Sequence, residues 1–209
     1  MSPIIQRYIL EAIKGFDAIP DVRKQALKNI IQYLKKVTDD NKRPELLYIC
    51  MRNSRMSHLG QIWSRVAATY YGFTNVRTYS GGIHATAFDL NSITIIEMIG
   101  FSVSQTDYTP NPSYKIQFGD SDIYITCFSK KYDDRENPIQ GFCVIMMCEE
   151  AEAALSHIEG AELWVSTLYN DLQASNLTGD WDNMYLKSSK EIATECLYVF
   201  SELSKQPEK

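Results

Sequence analysis

The chain has 209 residues, of which 44% are hydrophobic and 22% are charged, proportions typical of one globular domain with a small appendage. The chain has 21 Lys and Arg and 26 Asp and Glu, which gives a formal net charge of −5. This charge argues against broad electrostatic binding to nucleic acid or to an anionic membrane. Charged residues interrupt every apolar run of the N-terminus, so we expect neither a signal peptide nor a transmembrane span.

Helix periodicity fills residues 3–37, where apolar residues recur at intervals of three and four. This spacing predicts two amphipathic helices, and Pro20 suits the start of the second one. The polar, turn-rich run Thr38–Pro44 predicts a boundary. We therefore expect residues 1–40 to form a helical hairpin extension and residues 41–209 to form the main domain.

Beyond this boundary, short apolar runs alternate with longer amphipathic runs, which is typical of β-α units around a mostly parallel sheet. The pattern predicts strands at 46–49, 76–80, 142–147 and 163–168, and helices at 57–71, 92–99, 149–157 and 188–203. Two further short strands, 114–118 and 123–128, flank a turn and predict a β-hairpin insertion. We therefore expect a three-layer α/β fold with a central, mostly parallel sheet, an N-terminal helical extension and a hairpin insertion.

The most informative segment follows the first predicted strand. Cys50 ends that strand, and a short polar loop leads from it to a helix that begins near Ser57. In an open parallel sheet, ligands bind at this edge. The backbone N–H groups of such a loop, together with the helix N-terminus, favour an anion, and the same field favours a thiolate. The sequence thus predicts a nucleophile inside an oxyanion cradle made by Met51, Arg52, Asn53, Ser54, Arg55, Met56 and Ser57.

The motif Cys50-x-x-Asn53-Ser54-x-x-Ser57, followed by Gln61, resembles the phosphate-binding loop of the low-molecular-weight protein tyrosine phosphatases and their arsenate reductase relatives. Further matches lie downstream, at Tyr79-Ser80-Gly81-Gly82, Cys148, Gly160-Ala161-Glu162 and Tyr169-Asn170-Asp171. The resemblance covers about residues 45–204, so the two N-terminal helices lie outside it.

The resemblance implies a two-step phosphoryl transfer. Cys50 would attack phosphorus and form a phosphocysteine, while Asp171 protonates the leaving oxygen and later activates water. Asn53 would hold the unusual backbone of the loop, and the hydroxyls of Ser54 and Ser57 would donate toward the thiolate. The expected ligand is phosphate or another tetrahedral oxyanion, and a phosphorylated protein is a further candidate partner. No cofactor is implied, and the oligomeric state is unknown.

One departure from the family concerns the arginine that closes its C-x5-R loop, which would fall on Met56. A thioether cannot make the planar, bidentate contact that a guanidinium makes with phosphoryl oxygens. An arginine supplied to such a transition state is worth about 10³–10⁵ in rate, or about 4–7 kcal/mol. We therefore expect slow or impaired hydrolysis, and a non-catalytic phosphate or phosphoprotein binding module stays open. Arg52 or Arg55 could replace the clamp only by reaching back over the cradle.

A second departure concerns arsenate reduction, which in the thioredoxin-coupled branch needs three thiols. Cys148 lies where the second thiol is expected, but Leu155 occupies the position of the third. We therefore rank reductase activity below phosphatase activity. A structural role stays open for Cys50 and is favoured over a redox role for Cys148, while Asp171 is about as well suited to capping a helix.

The remaining cysteines and the histidines give no sign of a metal site. The five cysteines are widely spaced and form no CxxC pair, which favours free thiols in a reducing cytoplasm. Cys127, Cys143 and Cys196 fall on core positions, and the histidines, at 58, 84 and 157, are dispersed. By default we expect His58 to be solvated in the first turn of its helix, where it would at most border the anion pocket.

Overall fold

The structure is a computed structural model that describes residues 1–119, 123–170 and 180–205. The helices are α1 (Pro3–Ile13), α2 (Asp21–Asp39), α3 (Met56–Tyr70), α4 (Leu90–Ile99), α5 (Glu149–Ala154) and α6 (Trp181–Ser204). The strands are β1 (Glu45–Cys50), β2 (Arg77–Gly82), β3 (Ser102–Gln105), β4 (Tyr114–Gln117), β5 (Tyr124–Cys127), β6 (Phe142–Met146) and β7 (Ala161–Ser166). None of the described helices is both long enough and apolar enough to cross a bilayer.

A four-stranded sheet in the order β2-β1-β6-β7 forms the centre of the molecule, and all its pairings are parallel. The two middle strands are buried almost throughout, as expected when helices cover a parallel sheet. Helix α3 packs along β1 and β2, α5 contacts β1 and β6, α2 contacts β7, and α6 packs against α1, α2 and α3. The predicted α/β architecture with a mostly parallel sheet is confirmed.

A separate antiparallel sheet has the order β3-β4-β5. Strands β4 and β5 are the predicted hairpin insertion, whereas the sequence did not predict β3. The sequence of β3, Ser-Val-Ser-Gln, contains a single apolar residue and is largely exposed. It therefore lacks the alternation by which a half-buried strand is detected.

Helices α1 and α2 lie where the N-terminal periodicity predicted them. The hydroxyl of Ser2 accepts a hydrogen bond from the backbone N–H of Ile5 at 3.3 Å and caps α1. The apolar stripes of both helices are buried in the same core as the sheet, and each buried aliphatic side chain contributes about 1.5–3 kcal/mol. The helices and the sheet share one core. The division of the chain into an extension (1–40) and a main domain (41–209) stays a prediction.

Candidate functional site

Loop 50–57 joins the end of β1 to the beginning of α3. Strand β1 lies between β2 and β6, so the loop emerges at the middle of the carboxyl edge of the sheet. The β1–β2 register pairs Cys50 with Gly82. The structure therefore places the predicted cradle where parallel sheets bind ligands.

Most carbonyl groups of the first half of the loop are bound by the surrounding chain. Backbone N–H groups donate to three of them: Ile83 to Cys50 at 3.3 Å, His84 to Met51 at 2.9 Å, and Asp89 to Ser54 at 2.9 Å. The hydroxyls of Thr86 and Ser129 donate to the Arg52 carbonyl, each at 3.1 Å. These bonds fix the direction of the peptide planes, and the N–H of a peptide points away from its carbonyl.

The N–H groups on the other side of the loop lack such partners. Among the residues that the structure describes, no acceptor takes the backbone N–H of Asn53, Ser54, Met56 or Ser57. The last two belong to the first turn of α3, where helical N–H groups have no intrahelical acceptor. The loop and the helix N-terminus therefore offer several donors to an external anion.

Asn53 holds the conformation of the loop with its backbone and with its side chain. Its φ of 44° lies in the left-handed region, which asparagine tolerates better than most residues do. Its Oδ1 accepts from the backbone N–H of Lys130 at 2.8 Å, and its Nδ2 donates to Ser57 Oγ at 2.9 Å. Because the Ser57 oxygen already accepts this bond, its hydrogen is available for Cys50 Sγ, 3.0 Å away.

Gly82 allows the loop to approach the end of β2. A Cβ added there would lie 2.6 Å from the backbone nitrogen of Asn53 and 2.5 Å from the carbonyl oxygen of His84. Both neighbours are backbone atoms, so the chain itself would have to move. The position requires glycine because two segments of backbone meet there without space for a side chain.

A cavity of about 290 Å³ opens in front of the loop. Its wall contains Cys50, Met51, Arg52, Ser54, Arg55, Met56, Cys148, Glu150 and Tyr169. Asn53 and Ser57 are fully buried and brace the loop from behind. Ser54 lies in the wall, but no described hydrogen bond joins its hydroxyl to Cys50. Asp171, the candidate general acid, lies outside the described residues.

Met56 occupies the place that the resemblance gives to the closing arginine. The residue is buried and forms part of the cavity wall. Arg52 and Arg55 belong to the same wall, so positive charge lies beside the cavity although position 56 is apolar. The cradle therefore keeps its N–H donors and its sulfur, while the group that would clamp two oxygens of a bound phosphoryl is a thioether.

Cys148 shares the cavity with Cys50. It lies two residues after the end of β6 and at the N-cap position of α5. Burial raises the pKa of the Cys148 thiol to about 11, although the backbone N–H groups of Ala151 and Met51 oppose the shift. The thiol is therefore protonated and a weak nucleophile at neutral pH.

His58 contradicts the expectation of a solvated side chain. It is fully buried, its ring lies 4.1 Å from that of Phe88, and its Nδ1 lies 3.1 Å from Ser80 Oγ. Burial lowers the pKa of His58 to about 3, and the charge of Lys130 lowers it further. The residue is thus neutral packing behind the loop; the expectation was wrong because the segment that leads into α4 covers this face of α3.

Tyr169, at the edge of the cavity, is held by residues from two helices. Its hydroxyl donates to Glu195 of α6, and Arg23 of α2 lies 4.9 Å above its ring. Arg23 Nε lies 3.3 Å from Glu195 Oε1, and its Nη2 donates to the Leu168 carbonyl at 2.6 Å. Burial raises the pKa of Glu195 to about 7, while Arg23 and the Tyr169 hydroxyl lower it. Neither Arg23 nor Glu195 was predicted from the sequence, because both occur on ordinary amphipathic helices.

Comparison with known proteins identifies the fold. No protein-family model matches the chain, and no curated protein matches it. Among solved structures, a mutant of YwlE from Bacillus subtilis has a TM-score of 0.53 at 12% identity and covers 78% of this chain and 99% of that chain. A YwlE arginine phosphatase mutant with a phosphorylated active-site serine has a TM-score of 0.52 at 11% identity and covers 78% and 97%. A low-molecular-weight protein tyrosine phosphatase from T. tengcongensis has a TM-score of 0.49 at 14% identity and covers 76% and 99%.

The chain thus has the low-molecular-weight phosphatase-like fold of the two YwlE structures. The family resemblance inferred from the Cys50 motif is confirmed at the level of fold. At identities of 11–14% the similarity extends no further, because one fold supports several activities and the site has to be argued from its own residues.

Proposed function

We propose that the protein is a cysteine-dependent phosphatase of the low-molecular-weight tyrosine phosphatase type, in which Met56 makes hydrolysis slow. The observation that carries the proposal is the position of Cys50 Sγ, which lies 3.0 Å from Ser57 Oγ in the wall of a cavity. The same wall contains Ser54 and Met56, whose backbone N–H groups have no acceptor among the described residues. A sulfur with a hydroxyl donor beside an anion cradle is the arrangement that nucleophilic attack on a phosphate ester needs.

In the first step the Cys50 sulfur attacks phosphorus, an S–P bond forms, and the P–O bond to the leaving group breaks. The leaving oxygen takes a proton, which the family resemblance assigns to Asp171. In the second step water gives a proton to the same residue and attacks phosphorus of the phosphocysteine, the S–P bond breaks with its electrons returning to the Cys50 sulfur, and phosphate leaves. The loop N–H groups would stabilise the equatorial oxygens during both steps.

A phosphate-binding module without turnover is the second candidate, and Met56 is the observation that favours it. The missing arginine would cost about 10³–10⁵ in rate, and so little hydrolysis would be left. N–H groups alone still bind an anion. The ligand would then be phosphate or another tetrahedral oxyanion, either free or carried by a phosphorylated protein.

Arsenate reductase activity ranks below both candidates. Cys148 reaches the same cavity as Cys50, but burial keeps its pKa near 11. Leu155, at the C-terminal end of α5, stands where a resolving thiol would be needed. A disulfide or arseno-thiol formed at Cys148 would therefore depend on an external thiol.

We also propose that the protein acts in the cytoplasm. All five cysteines are free and buried in the structure. Cys50 and Cys148 share one cavity, and a disulfide between them would remove the proposed nucleophile. A reducing compartment keeps such thiols available.

The proposal is tested by hydrolysis of p-nitrophenyl phosphate and by calorimetric titration with inorganic phosphate. Cys50→Ser should abolish turnover, whereas Cys148→Ser, the matched change of the other cavity cysteine, should keep most of it. Turnover that survives Cys50→Ser would contradict a cysteine-dependent mechanism. Saturable phosphate binding without turnover in the wild type would favour the binding module.

A further inference from the structure

A second cavity, which we call the back groove, lies beside α3, β2 and β5. It has a volume of about 440 Å³ and is lined by residues of β2 and β5, which are outer strands of their sheets. It shares no wall residue with the cavity in front of Cys50. Its size suits a small-molecule ligand.

Positive charge dominates the wall of the back groove. Three cationic residues contribute to it, Arg65, Arg77 and Lys130, against one carboxylate, Glu136. Among the described residues no carboxylate forms a salt bridge with any of the three cations. Glu136 instead lies 3.8 Å from Arg135. The groove therefore carries an excess of positive charge that the described residues do not neutralise.

Arg65 and Arg77 both belong to the groove wall. Arg65 Nη1 donates to the carbonyls of Thr74 at 3.0 Å and Val76 at 2.7 Å. Burial lowers the pKa of Arg65, and the charge of Arg77 lowers it further. Two guanidinium groups of like charge in one groove wall would both be stabilised by a bound anion.

Lys130 is the most unusual residue of the groove. Its side chain is only 5% exposed, and its Nζ lies 4.6 Å from the centroid of the Phe128 ring. No hydrogen bond or ion pair to its ammonium group is found among the described residues, and burial lowers the pKa of Lys130. The charges of Asp134 and Glu136 oppose that shift, but neither forms an ion pair with the ammonium group among the described residues, so a bound anion would add the direct contact that a buried cation favours.

We infer that the back groove is a second anion-binding site, which takes a small ligand bearing carboxylate or phosphate groups between Lys130 and Arg77. This site is separate from the proposed phosphatase centre and does not depend on it. It adjoins the centre through the backbone, because the N–H of Lys130 donates to Asn53 Oδ1. A ligand bound to the Lys130 side chain would therefore lie one residue's length from the contact with Asn53, which shapes the loop.

The inference is tested by NMR titration of the ¹⁵N-labelled full chain with citrate and, separately, with inorganic phosphate. We expect saturable shifts of groove amides such as those of Thr78 and Thr126. Lys130→Met should weaken this binding about tenfold or more, as expected when a charged hydrogen-bond donor is lost. Lys131→Met removes the same charge from the adjacent exposed position and should change the affinity less than twofold.

Arg77→Met provides a second variant at an exposed position in case Lys130→Met does not fold. The inference is overturned if neither anion shifts the groove amides, or if Lys131→Met weakens binding as much as the groove variants do. The proposed phosphatase centre has its own readout in the same spectra, since phosphate should also shift the amides of Asn53 and Ser54. If phosphate shifts the loop amides but not the groove amides, it binds the proposed phosphatase centre and not the groove. If it shifts only the groove amides, the reverse holds.

Discussion

The two faces of loop 50–57 differ in how their polar groups are satisfied. On the face toward the protein, the carbonyl of Arg52 accepts from two hydroxyls, and Asn53 binds both Lys130 and Ser57. On the face toward the cavity, the N–H groups of Ser54 and Met56 have no acceptor among the described residues, and Met56 occupies the position that the family resemblance gives to the clamping arginine. The shape of the cradle is therefore held from behind, independently of the side chain at position 56.

This difference means that the loop could keep its geometry while losing catalytic power. The groups that fix the backbone make no use of a guanidinium at position 56, so its replacement removes transition-state stabilisation without removing a brace. If the comparison is right, changes on the cavity face should alter rate, and changes on the protein face should alter stability and binding together.

The largest effect is expected from Met56→Arg. Restoring the clamp should raise p-nitrophenyl phosphate hydrolysis by about 10³–10⁵, or about 4–7 kcal/mol of barrier. Met51→Arg is the matched control, because it adds the same charge to another methionine of the cavity wall. A folded Met56→Arg variant that is no faster than the wild type would show that position 56 does not correspond to the family arginine.

Gly82→Ala should have the next largest effect. The new Cβ would lie 2.5–2.6 Å from backbone atoms of the loop and of His84, so we expect a loss of about 3 kcal/mol or more in the free energy of unfolding. Phosphate binding should be lost with it. Gly72→Ala is the control, since a Cβ there meets no atom within 4 Å, although its φ of +86° carries some strain. Equal losses in urea denaturation would contradict the close approach at Gly82.

Glu195→Gln tests whether the edge of the cavity is held by a titrating group. The pKa of Glu195 is raised from 4.5 to about 7 in the folded state, so its contribution is present at low pH and is lost as the pH rises from about 4.5 to 7. That loss amounts to as much as about 3 kcal/mol. Arg23, Tyr169 and Glu191 are the titratable groups that act on it.

His58 acts in the opposite direction behind the loop. Its pKa is lowered from 6.5 to about 3, so its contribution is lost as the pH falls through that range. The His58 contribution is the same in Glu195→Gln and in the wild type, so it cancels when their free energies of unfolding are subtracted. Urea denaturation at pH 5 and pH 8 should show the variant gaining stability relative to the wild type as the pH rises. The exposed Glu191→Gln should leave the slope nearly unchanged; a parallel slope for Glu195→Gln would contradict the raised pKa.

The smallest effect is expected from Asn53→Ala, which removes two hydrogen bonds and leaves the Lys130 N–H without an acceptor. We expect a loss of about 2 kcal/mol in the free energy of unfolding, together with weaker phosphate binding. Asn41→Ala is the matched control because Asn41 has a similar left-handed φ of 55° at an exposed position. A phosphate titration in which both variants bind like the wild type would contradict the role of Asn53 as a brace.

The strand, loop and helix around Cys50 were predictable because their signals are local. A buried apolar run, a polar turn and an amphipathic helix follow one another within about 25 residues, so their order alone places Cys50 at the edge of the sheet. Strand β3 was missed for the opposite reason, since its four residues are polar and are ordered only by pairing with β4.

The sequence by itself determined the α/β fold, the place of Cys50 at the end of β1 and the absence of an arginine at position 56, because each depends on residues that are neighbours along the chain. Tertiary structure alone decided that His58 faces inward, that Lys130 supports Asn53 from 77 positions away, and that Arg23 reaches Leu168 across 145 positions. These contacts depend on how separate elements pack, and the energy of a buried charge or hydrogen bond is set by the partners that packing brings to it.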